Sequence, residues 1–169
     1  MRKTFLVFFL FISFLTATSY GQELPNLKHV KLNKKASYKN AELTILKVVD
    51  YLFKTPIDKR NKSRNNAGQF LVDWMNGTPD HIFYLEIEET SFFNTDSELL
   101  LMYMAALTKF SLDHPTEKEK RTQALGAMNL VLPYLYQQSN KKTWTKELWQ
   151  LHDAYKNGKL ETFLYKGVN

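Results

Sequence analysis

Leu99 to Leu107 are nine consecutive apolar residues, and a helix that is apolar on every side has to be covered by other elements. Thr95-Asp96-Ser97-Glu98 precedes the run. It is a capping-box pattern, in which the Thr95 oxygen and the Glu98 carboxylate would satisfy free backbone amides. Asp113-His114-Pro115 closes the helix. The rest of the chain has to supply its cover.

That cover is helical. Ile45, Val48, Val49 and Leu52 fall on one face of a helix expected over about 40–54, ended by Pro56. A second helix is expected over about 58–76, with Gly77 and Pro79 beyond it and Arg60, Arg64, Ala67, Leu71 and Trp74 on one stripe. Thr116-Glu117-Lys118-Glu119 reads as another capping box, opening a helix with Ala124, Ala127, Met128, Val131 and Leu135 on one face and Pro133 near the other. A helix over about 146–157 turns Leu148, Leu151, His152 and Tyr155 inward and stops at Gly158; a short one follows over 160–165. Only residues 81–88 alternate with a period of two, Phe83, Leu85 and Ile87 against Tyr84, Glu86 and Glu88. One strand makes no sheet, so this piece is an extended connector or pairs in a dimer. The fold class is an all-α bundle of five or six helices with that one connector.

The N-terminus reads as an address. Arg2 and Lys3 precede eleven residues, Phe5 to Leu15, that are apolar but for Ser13, and small or polar residues follow to Gly21. These are the parts of a secretory signal. Eleven helical residues reach about 16 Å, half of the ~30 Å hydrocarbon core. Cleavage is expected after Gly21, with cleavage after Ser19 as the alternative. Residues 1–21 are then signal peptide, 22–36 a basic, loosely ordered lead-in, and 37–169 a single helical domain. With no cysteine in the chain, disulfides, thiol catalysis, zinc–thiolate sites and iron–sulfur clusters are excluded together.

Removing Arg2 and Lys3 leaves 21 basic residues against 17 acidic ones, a net +4. Lys59, Arg60, Lys62 and Arg64 form one basic cluster, and 80–98 holds six acids and no base. Nucleic acid is not expected as a partner: the lysines lack interleaved aromatics, and export removes the target. Arg60 and Arg64, one turn apart, can fork a carboxylate or phosphate. The competing readings are an internal clamp onto the Glu86–Glu89 segment, or plain exposure. Trp144 and Trp149, about 140° apart, leave one candidate for an exposed aromatic contact, whereas Trp74 lies on a core stripe.

Chemistry is harder to find. His29, His81, His114 and His152 form no metal-ligand pair at helical spacing. There is no Gly-x-Ser-x-Gly and no phosphate loop. No catalytic residue, metal or cofactor is assigned. His152, on an apolar stripe, is expected in the core. Ser19-Tyr20-Gly21-Gln22 and the segment from Phe70 to Pro79 resemble small exported helical proteins of unassigned function from Bacteroidetes-type bacteria. That resemblance implies export and a helical fold after about residue 40, and brings no site residues. Two functions remain: a non-catalytic module that binds a partner such as an envelope or secreted protein, or a hydrolase whose His and Glu residues are assembled by the fold. The second requires at least two of His81, His114, His152 and Glu86 to converge. Oligomeric state stays open.

Overall fold

The computed structural model describes residues 23–137 and 144–166. The expected signal peptide and its cleavage site lie outside the described residues. Among these, seven α-helices and one 3-10 turn make up the regular structure, with no strand: the turn Leu27–His29, α1 Lys35–Lys54, α2 Lys62–Gly77, α3 Ile87–Thr90, α4 Ser97–Asp113, α5 Lys120–Gln137, α6 Lys146–Lys156 and α7 Leu160–Leu164. The all-α bundle is what the patterning requires. Five helices are long, and α3 and α7 are single turns. No described helix is long and apolar enough to cross a membrane.

α4 is the buried centre. Met102, Tyr103, Ala105, Ala106 and Leu107 are fully enclosed, with α5 along one side and α1 along another, while α2 packs on α1 and α4. Phe93 stacks on Tyr103 with ring centroids 5.0 Å apart. α5 approaches α4 closely at Gly126, where an added Cβ would fall on the Phe110 ring. The lead-in contributes Leu24, Leu27, Val30 and Leu32 to the edge of the core, and the Tyr38 hydroxyl donates to the Leu32 carbonyl at 3.1 Å.

Several local expectations differ from what forms. α1 begins at Lys35 rather than about 40, with Ser37 Oγ accepting the Asn33 and Lys34 amides at its start, and α2 begins at Lys62 rather than about 58, because Asn61 caps it by accepting the Arg64 amide. The cap of α4 is Asp96, whose carboxylate accepts from the Glu98 amide at 2.9 Å, because the Glu98 side chain is drawn to Arg64 and does not turn back to close a box with Thr95. α5 begins at Lys120, and Glu119 rather than Thr116 caps it, accepting from the Arg121 and Thr122 amides. The connector stays extended only through 86: His81 and Phe83 turn inward, but Leu85 and Ile87 are exposed. The turn of α3 starts at Ile87 and ends the two-residue period.

Candidate functional site

The basic cluster resolves into separate fates. Arg64 has 0 % of its surface exposed. Its Nε donates to Glu98 Oε2 at 2.9 Å, its Nη1 to the Leu52 carbonyl at 2.8 Å and to the carbonyl and hydroxyl of Thr55 at 3.1 and 3.0 Å, and its Nη2 lies 3.0 Å from the Met102 sulfur. The Tyr134 hydroxyl donates to the same Thr55 carbonyl at 2.9 Å. One guanidinium therefore joins α1, α2 and α4, at the negative end of the α1 dipole, where the last carbonyls lack helical partners. The clamp's acid is Glu98, not a member of the Glu86–Glu89 segment. Arg60 does not converge with Arg64: its side chain is 94 % exposed and pairs with Asp58. Lys59 pairs with Asp96 at 3.1 Å, and Lys62 is exposed.

A second polar node was not legible in the sequence. His81 Nδ1 lies 3.1 Å from Ser111 Oγ, and its Nε2 lies 3.1 Å from Glu42 Oε1. Serine, imidazole and carboxylate in series are the groups of a nucleophilic relay. However, Ser111 is 2 % exposed, inside the last turns of α4, and the imidazole sits among the rings of Trp74 and Phe83 at 5.5 and 6.2 Å. A relay needs its hydroxyl presented to a carbonyl; this one faces the interior and ties the connector to α1 and α4. The residues whose convergence the hydrolase reading requires have separate surroundings. His114 stacks on Phe110 at 4.3 Å, His152 lies among aromatic rings, and Glu86 pairs with Lys120 at 3.3 Å.

A broad recess lies between α6 and α7. α6 is amphipathic: Leu148, Leu151 and His152 face the core, while Lys146, Trp149, Gln150 and Asp153 face outward. Gly158, with φ +66°, ends it in a reversal in which the Gly158 amide donates to the Tyr155 carbonyl at 3.1 Å and the Lys159 amide to the Ala154 carbonyl at 2.8 Å. This paired 6→1 and 5→2 pattern requires a left-handed residue, a role suited to glycine. The reversal brings Lys159, Thr162, Phe163 and Lys166 to face α6 across a groove of about 620 Å³. Cavities of this order hold drug-sized ligands.

Trp149 is 41 % exposed on the wall of that groove, and it is braced from behind. Its ring lies 4.7 Å from Trp144, and Trp144 rests on Tyr136 at 6.3 Å and on His152 at 5.6 Å. His152 in turn stacks on Tyr136 at 4.2 Å with the planes 8° apart. Of the two tryptophans singled out by sequence, Trp149 lines the groove and Trp144 supports it. Three lysines against the single Asp153 give the lining a positive balance. Sequence reasoning missed these lysines. The available signal was the spacing of Lys146, Trp149 and Asp153, which places them on the helix face opposite Leu148 and Leu151.

Among the described residues, no group of three or more His, Asp and Glu is placed to hold a metal ion. Comparison with family models, with curated proteins and with solved structures finds no match to the chain.

Proposed function

We propose that the chain is an exported, non-catalytic binding module whose α6–α7 groove takes up an acidic segment of a partner protein of the cell envelope or the secreted fraction. The observation that carries this reading is the braced, part-exposed Trp149 set beside Phe163 and among Lys146, Lys159 and Lys166. A rigid aromatic wall gives an aliphatic or aromatic side chain a surface to bury against at little entropic cost. The surrounding lysines attract carboxylates and speed encounter. The N-terminal pattern of Arg2, Lys3 and the apolar run supports export, and a partner in the envelope follows from that address.

Tryptophan fluorescence tests it. A five-residue peptide of aspartates around one leucine is expected to shift the emission saturably, with affinity falling as salt is added. The lysine counterpart of that peptide should do nothing. Trp149→Ala and Lys159→Glu should each weaken binding about tenfold or more, since one good anchor contributes about 1.4 kcal/mol or above. Equal binding of the two peptides, or undiminished binding by Trp149→Ala, would overturn the reading.

A further inference from the structure

Resting on that reading of the groove as a site for an acidic segment, we infer that its occupant is the segment Leu85 to Glu88 of a second copy of this chain. Two copies exchange the contact and form a two-fold dimer.

The end of the connector has the chemistry the groove calls for. Glu86 is extended, with φ −74° and ψ 155°, so Leu85 and Ile87 on either side of it point the same way. Both side chains stand in solvent, 45 % and 78 % exposed. Single exposed apolar residues are ordinary; here two lie together, and Glu88 follows them in the first turn of α3. Glu86 is drawn to Lys120, whereas Glu88 is exposed and joins no ion pair among the described residues. The groove presents the reverse set. Trp149 and Phe163 give apolar walls, and Lys146, Lys159 and Lys166 are exposed and likewise outside any ion pair among the described residues. Leu43, the other strongly exposed aliphatic residue, does not suit a basic groove, because Lys39 and Lys47 border it one helical turn away on each side.

The placement of the two surfaces favours a closed pair. Phe163 lines the groove and also packs on Phe92, just beyond α3, with ring centroids 6.0 Å apart. The Tyr165 hydroxyl donates to Glu89 of α3 at 2.6 Å. Segment and groove are therefore neighbours, linked through α7. The segment does not fill the groove of its own chain, since Ile87 is left uncovered. With the two surfaces adjacent, a two-fold axis beside α7 lets each copy insert its segment into the other's groove. The contact then closes at two chains and does not run on as a fibre.

Sedimentation equilibrium of the purified chain, over a concentration series at low and high salt, tests this. A monomer–dimer equilibrium is expected, weakening as salt is added. Ile87→Ser, an exposed change, should weaken the dimer about tenfold or more, because it enters the interface twice. Glu88→Lys and Lys159→Glu should each give a monomer. An equimolar mixture of these two variants should regain the dimer, since one contact of the mixed pair is native and the other is reversed in both signs. The acidic leucine peptide, by filling the groove, should dissociate the dimer. A chain that stays monomeric at millimolar concentration while the peptide still binds would overturn the dimer and leave the groove as a site for another protein's acidic segment. A dimer indifferent to Ile87→Ser and Glu88→Lys would place the contact elsewhere and overturn it too. If neither the peptide nor a second copy binds, both readings fall.

Discussion

Arg64 shows how far one residue can be read before its neighbours are known. Its place on the stripe of Ala67, Leu71 and Trp74 marked it as inward-facing, and an inward arginine needs a partner. Nothing in the sequence distinguished Glu98 from Glu86, Glu88 or Glu89, because the pairing spans the turn between helices that only packing fixes. Removing the guanidinium would strand Glu98 and the Leu52 and Thr55 carbonyls in the interior. Arg64→Ala is therefore expected to cost about 3–5 kcal/mol and to lower the melting temperature by about 10 °C in a domain of this size. Arg60→Ala, an exposed change, should stay within about 0.5 kcal/mol. Calorimetry on the two variants checks this, and equal effects would contradict the clamp.

The buried phenols make a second residue-scale prediction. Burial pushes the Tyr103 hydroxyl up, and the nearby Glu89 charge adds to the shift. Burial also raises Tyr165, again assisted by its bond to Glu89, and raises Tyr134 against the opposing pull of Arg64. A folded value above the unfolded one favours the native state fully below about pH 10, where unfolded tyrosine ionises, and the benefit is lost as the pH rises past it. Absorbance at 295 nm should show the native chain ionising fewer of its nine tyrosines by pH ~11 than the urea-unfolded chain does. Identical titration curves would contradict it.

Among the elements, the apolar periodicity of the long helices was legible because burial is a property of a whole face, and α4 and α6 follow it closely. Their first residues were less legible. Capping depends on which nearby oxygen is free, and Glu98 is not free once Arg64 claims it. At α5 the Glu119 carboxylate accepts the Arg121 and Thr122 amides, and these bonds hold it below the usual glutamate range. Stability from a depressed carboxylate is present above the unfolded value and is lost as the pH falls through the folded one. Glu119→Gln should consequently flatten the fall in melting temperature between about pH 5 and pH 3; an unchanged acid limb would count against this cap. The connector was the least legible element. Its period of two was real in composition, but the inward positions are His81 and Phe83 only, since the hydrogen bonds of His81 to Ser111 and Glu42 and the turn of α3 decide which side chains face in.

At the scale of the molecule, the polar clusters with the look of chemistry are committed to internal structure. Arg64 joins three helices, and His81 pins the connector through the buried Ser111. The surface proposed to bind a partner is that of α6 and α7, where Gly158 reverses the chain and sets lysines around a supported tryptophan. Sequence could nominate Trp149 as a contact but could not assemble the groove, because Lys159, Thr162, Phe163 and Lys166 reach it from α7 and its flanks, across a turn whose geometry is tertiary. The most direct test is an NMR titration of the acidic leucine peptide into the isotopically labelled chain. Shifts concentrated within 146–166, with Trp149 among the largest, are the expected result. Shifts centred on His81, Ser111 and Glu42 would contradict it, and would make that cluster the candidate site instead.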